Sequence, residues 1–137
     1  MKILIDTNII LDVLTKREPF YMDSARVWTL GREGVIQGCI SAISVNNFYY
    51  ILSKLKGVKA AEPLIDQILE DFRIIAFTKN ILKQARSIAG KDFEDLIQYF
   101  SAIHEGCECV ITRNNKDFPS VGIKIMTPAE FLKIFVK

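Results

Sequence analysis

The chain has 137 residues, half of them hydrophobic, and a formal net charge of +2. That length suits one domain around one core, and that composition excludes a disordered chain. With 18 basic against 16 acidic residues, charge alone does not announce a nucleic-acid binder. No apolar run reaches the roughly 18 residues that a membrane span needs.

The chain opens on a short apolar run, Lys2 to Asp6, with the pattern of a buried central strand. A strand this early predicts a chain without a targeting segment. Thr7 and Asn8 follow and can cap a helix through Ile9, Ile10, Val13 and Leu14. Arg17 to Pro19 ends it, and Phe20 to Arg32 reads as a second helix closed by Gly31 and Gly34. Gly38 to Ser41 is a second strand. Ser44 then looks like the N-cap of a helix over Val45 to Lys56, with Phe48, Ile51, Leu52 and Leu55 at helical spacing. Gly57 stops it, and Ala60 to Asp71 is another helix.

Phe72 to Phe77 is rich in Ile and Phe and reads as a third strand. Thr78 caps a helix that Gly90 ends. Asp92 caps the next one, with Asp95 one turn on and Gly106 as its stop. Glu108 to Thr112 is a fourth strand and Ile123 to Met126 a fifth. Thr127-Pro128-Ala129-Glu130 is a capping box with proline at the first helical position, opening a last helix to Phe135. Strands alternating with helices through short linkers predict a single three-layer α/β/α domain with a central parallel sheet of four to five strands. Three cysteines, Cys39, Cys107 and Cys109, form an odd set without zinc-knuckle spacing. They predict buried thiols in a reducing cytoplasm, with Cys107 and Cys109 on one face of a strand.

Ligands of an open parallel sheet bind beyond the carboxyl ends of its strands. Asp6 ends the first strand, Asn47 lies early in the helix after the second, and Thr112, Arg113, Asn114 and Asp117 follow the fourth. Asp95 reaches the same edge from the start of its helix. Carboxylates held close repel one another unless a proton or a cation intervenes. An acid cluster without histidine or thiolate is a hard-oxygen site, suited to Mg²⁺ or Mn²⁺ and not to zinc. Metal-bound water attacking a phosphodiester is the chemistry such a site invites.

Three segments, ILIDTNIILDVL, ISAISVNNFYYIL and DFEDLIQYFSAIHEGCECVITRNNKDF, follow in order along the chain. Together they resemble a PIN domain of the group that includes VapC-type toxins, over essentially the whole sequence. The resemblance implies a Mg²⁺- or Mn²⁺-dependent ribonuclease that cleaves RNA by water attack and leaves a 5′-phosphate. It implies Asp6, Asp95 and Asp117 as the catalytic, metal-binding acids, Asp92 nearby, and Asn8 as the asparagine that steadies the first aspartate. A homodimer and an antitoxin partner are further implications. Two departures are evident: Asn47 stands where the family's helix after the second strand brings a glutamate, and Asn114 where many relatives place an acid. An amide offers a carbonyl oxygen but no charge, so metal binding should be weaker.

Each of these residues has a plainer role to weigh. Asp6 and Asp92 can be helix caps, and Asp95 a capping-box acid serving the helix dipole. Asp12 can point at the site or at a lysine, with the solvated role preferred. Arg113 can bind phosphate or pair with a site carboxylate. The single histidine, His104, lies late in a helix and argues against histidine catalysis. Lys54, Lys56 and Lys59 form a basic patch at a solvated helix end. Two other functions compete: a non-catalytic RNA-binding module with a weakened metal site, and a signalling receiver domain. A receiver wants adjacent acids after its first strand and an aspartate ending a middle one. This chain has Asp6 alone there and no acid ending Gly38–Ser41.

Overall fold

The computed structural model describes residues 1–119 and 122–135. A five-stranded, wholly parallel sheet runs through it: β1 (Lys2–Ile5), β2 (Gln37–Ser41), β3 (Arg73–Ile75), β4 (Cys109–Ile111) and β5 (Lys124–Met126), in the order β3-β2-β1-β4-β5. β1 is central and pairs with both β2 and β4, Ile3 facing Gly38 on one side and Cys109 on the other. Its run of Ile and Leu follows from that place, since a strand covered on both faces has no solvent side to show.

Alternation along the strands sorts side chains to two faces. Ile3, Ile5, Ile40 and Ile111 face the larger core, where α1 (Thr7–Leu14), α2 (Tyr21–Arg32), α3 (Ala42–Lys56), α4 (Val58–Asp71) and α7 (Pro128–Phe135) contribute Ile9, Val27, Phe48, Ile68 and Phe131. Leu4, Cys39 and Val110 face the other way, onto Tyr99 and Ala102 of α6 (Phe93–Glu105). α5 (Lys79–Arg86) packs Ile81 and Ala85 against Leu96 and Ile97 of α6. Helices thus cover both faces, as the alternating pattern predicts.

Local chemistry accounts for the boundaries that position the site. Thr78 accepts a hydrogen bond from the Ile81 amide, and the Asp92 carboxylate accepts one from the Asp95 amide at 3.1 Å. Gly106 ends α6 in the left-handed region at φ 77°, which costs a glycine nothing. At Gly38 a Cβ would meet the Phe72 ring at 3.0 Å, so the β2 backbone owes its close approach to α4's end to the missing side chain. Thr127 and Glu130 exchange the two capping-box bonds at the start of α7.

Three expectations need correcting. α3 starts at Ala42 with Ser41 as its N-cap, so Ser44 lies inside the helix, where its hydroxyl meets that of Thr7 at 2.8 Å. β4 starts only at Cys109, so Cys107 precedes it and packs in the opposite core from Cys109. Asp12 is not solvated: it is 1% exposed and paired with Arg113. All three cysteines are buried free thiols. Among the described residues no helix is long and apolar enough to cross a membrane.

Candidate active site

The carboxyl ends of β1 and β4 and the N-termini of α1, α3 and α6 meet at one edge of the sheet. They enclose a pocket of about 470 Å³ whose lining includes Asp6, Asn8, Asn47, Asp92, Glu94 and Asp95. A larger cavity, about 940 Å³, lies at the β5 edge between Met126 and α7 and contains none of the predicted acids.

Asp6 is the buried centre of this edge, 2% exposed. Its backbone amide donates to the Ile111 carbonyl at 3.0 Å, tying the end of β1 to the end of β4. One carboxylate oxygen accepts from Gln98 Nε2 at 2.9 Å and the other from Thr112 Oγ1 at 2.8 Å. Burial pushes its carboxyl above the ordinary range, and those two bonds, helped by the amides of Thr7 and Asn8, pull the other way. The side chains that steady Asp6 are therefore Gln98 and Thr112, while Asn8 lines the pocket beside it.

Asp95 is half-buried one turn before Gln98. Burial and the nearby charges of Asp6, Asp92, Asp117 and Glu94 push its carboxyl up to about 7. Four acids from three stretches of chain thus act on one carboxyl. Asp92 has both roles that were open to it, capping α6 and lining the pocket. Asp117 sits exposed in a short 3₁₀ turn, Asn115–Asp117, outside the pocket wall but close enough for Asp95 to register its charge.

Asn47 does face the pocket from α3, and it meets an acid there. Its Nδ2 donates to Glu94 Oε1 at 3.1 Å, and Thr7 Oγ1 reaches the same oxygen at 3.5 Å. Glu94 went unnoticed in the sequence because one acid among Asp92, Glu94 and Asp95 reads as a helix-start charge. The sign that could have revealed it is its position two residues from Asp92, on a helix whose N-terminus points at the sheet edge. Gln98 was also missed; a polar residue on the apolar face of α6, three after Asp95, was the signal available.

Arg113 turns away from the pocket. Its Nε lies 2.7 Å from Asp12 Oδ2, and its guanidinium covers the Phe20 ring at 4.2 Å. Asn114 is exposed, and its backbone amide donates to Thr112 Oγ1 at 3.0 Å. His104 contacts Gln84 on α5, far along α6 from the acids. Tyr50 lines the pocket, with Lys54 over its ring at 4.6 Å, and is 60% exposed.

The donor set is one of hard oxygens, and the mutual repulsion registered at Asp95 is the kind a divalent cation relieves. Charge and donor type therefore fit Mg²⁺ or Mn²⁺. Among the described residues the side chains do not close into a ready-made ligand cage.

A family model for the PIN domain matches residues 2–116. The chain belongs to the PIN domain family. It is similar to Ribonuclease VapC1 of Aquifex aeolicus (strain VF5), with 29% identity over 135 residues, 95% of this chain and 92% of that protein. Among solved structures it is similar to a chain of a toxin–antitoxin complex from Klebsiella pneumoniae, at 25% identity and TM-score 0.68, covering 91% of this chain and 96% of that one. It shares its fold with FitAcB from Neisseria gonorrhoeae, at 24% identity and TM-score 0.69, covering 93% and 98%.

Proposed function

We propose that this chain is a metal-dependent ribonuclease, the toxin of a toxin–antitoxin pair, with Asp6, Asp95 and Asp117 as the acids that hold Mg²⁺ or Mn²⁺. The observation that carries the reading is the gathering of Asp6, Asp92, Glu94 and Asp95 around one open pocket at the carboxyl edge of the sheet. The likeness to a ribonuclease over nearly the whole chain supports it.

A bound divalent ion supplies a nucleophilic water at neutral pH and neutralises charge on the phosphate. The chain's own residues do the rest. Asp6 is held rigidly by Gln98 and Thr112 as the anchor of the site. Asp95 and Asp117 add charge from the α6 N-terminus and the loop after β4, and Asp92 and Glu94 add theirs from the pocket wall. Water adds to phosphorus, the bond to the 3′-oxygen breaks, and a 5′-phosphate and a 3′-hydroxyl leave. Tyr50 and Lys54 at the pocket mouth offer a ring face and a cation to a single-stranded substrate. A homodimer and an antitoxin that covers the pocket complete the reading. Asp6→Asn should abolish RNA cleavage that depends on Mg²⁺ or Mn²⁺; undiminished cleavage by that variant refutes the assignment.

One observation favours a second reading, an RNA-binding module without turnover. Asn47 brings no charge, and its amide is engaged by Glu94. This reading predicts RNA retention with no metal-stimulated cleavage by the wild type.

A further inference from the structure

Gln98 is an unusual occupant of its place. It lies on the inward face of α6, 1% exposed, among apolar neighbours. A buried amide is costly unless its polar atoms find partners. Both ends of this one do, and both partners belong to the same turn of chain: Oε1 accepts from the Thr7 backbone amide at 3.2 Å, and Nε2 donates to Asp6 Oδ1 at 2.9 Å.

The direction of the amide is not arbitrary. A backbone N–H can only donate, so Thr7 obliges the carbonyl end of Gln98 to face it. The NH₂ end is then left for Asp6. The same logic operates at the other oxygen. The Asn114 amide donates to Thr112 Oγ1 at 3.0 Å, which leaves that hydroxyl's hydrogen for Asp6 Oδ2. Two backbone amides, on opposite sides, thus fix one side-chain donor on each oxygen of Asp6. Asp6 also lines the pocket. Gln98 also follows Asp95 by three residues on one helix, so the two share a face. The clamp on Asp6 therefore sets how far α6 stands from the end of β1, and with it the separation of Asp6 from Asp95.

We propose that Gln98 is the positioning residue of this site: its amide, oriented by Thr7, aims the Asp6 carboxylate into the pocket and spaces it from Asp95. The functional part of this proposal rests on the metal-site reading above. The geometric part does not.

Gln98→Met tests it, since methionine has similar length and no hydrogen bond to give. Three measurements on the full chain are needed: Mn²⁺ binding by calorimetry, kcat and KM on RNA, and a crystal structure of the metal-free variant. The expected results are an Asp6 carboxylate turned from its present orientation, Mn²⁺ affinity lowered about 10–100-fold, and a fall in kcat with KM for RNA unchanged. A residue that merely fills the core would lower the unfolding midpoint and leave these readouts alone. An unmoved Asp6 in the variant overturns the proposal. So does undiminished Mn²⁺ affinity, measured against a wild type that binds the ion. A wild type that binds no Mn²⁺ overturns the metal-site reading instead, and the orientation of Asp6 in the variant then decides the positioning claim. Should Gln98→Met fail to fold, Gln98→Asn, the same amide drawn back by one methylene, gives the same readouts.

Discussion

Two aspartates at the ends of one short helix are buried to the same degree and treated in opposite ways. Asp12 is 1% exposed and has a resident countercharge, the Arg113 guanidinium, itself stacked on Phe20. Asp6 is 2% exposed and, among the described residues, has none: its side-chain partners are a neutral amide and a neutral hydroxyl. Burial raises both carboxyls, and Arg113 opposes that rise at Asp12, whereas further acids crowd the edge at Asp6. The first arrangement is a closed structural pair. The second sets no cationic side chain against the carboxylate among the described residues, which is the arrangement the proposed metal site calls for.

The sharpest way to break this contrast is to remove charge at each centre. Asp6→Asn keeps the shape and should reduce metal-dependent RNA cleavage to background while the protein stays folded by circular dichroism. Arg113→Met should do the reverse. It leaves Asp12 buried and unpaired, at a cost on the order of 3 kcal/mol, read as a lower denaturation midpoint. Its residual folded fraction should still bind Mn²⁺. A phosphate-binding role for Arg113 predicts instead a raised KM for RNA at unchanged stability.

A smaller effect concerns pH. Asp95 has its carboxyl raised to about 7 in the folded protein, above its unfolded value. The folded state therefore holds this proton more tightly, and the stability it brings is present at low pH and lost as pH rises through about 7. Metal-free protein should lose stability across that window in denaturant titrations, and Asp95→Asn should flatten the loss. Adding Mg²⁺ at neutral pH should restore stability by mass action, about 2.7 kcal/mol at a hundred times the dissociation constant. A metal-free stability profile that rises through the same window would contradict the crowding of acids around Asp95.

The mildest expected effect is at Asn47. Supplying the family's glutamate by Asn47→Glu looks from sequence like a way to strengthen metal binding. In the structure it sets a second carboxylate against Glu94 and removes the bond between them. Asn47→Glu should therefore bring little gain in Mn²⁺ affinity alone, and Asn47→Glu with Glu94→Gln, which keeps the number of acids, should also stay near the wild-type value. A large gain from the single substitution would show that Glu94 does not serve the site.

The sheet, the helix order and the edge at which the acids gather were legible in the sequence, because apolar runs such as Lys2–Ile5 and caps such as Thr78 and Asp92 are local signals. What holds the acids was not. Gln98 and Thr112 meet Asp6 across 92 and 106 residues of chain, and a hydrogen bond between such distant groups leaves no local trace. The pairing of Asp12 with Arg113 was missed for the same reason: a carboxylate on a short helix looks solvated until a distant loop covers it. Ser44 was misjudged because serine is a common helix cap, and only the backbone, which starts α3 at Ala42, decides the point.

The central claim is that the carboxylates of Asp6, Asp95 and Asp117 can be reconciled by one incoming divalent ion. A crystal of the wild-type protein soaked in Mn²⁺ and measured at the manganese edge tests it directly. The expected result is an anomalous peak within coordination distance of Asp6 and Asp95, with Asp117 drawn toward it. A fully soaked crystal with no peak there, or with Mn²⁺ bound only elsewhere on the molecule, would contradict it.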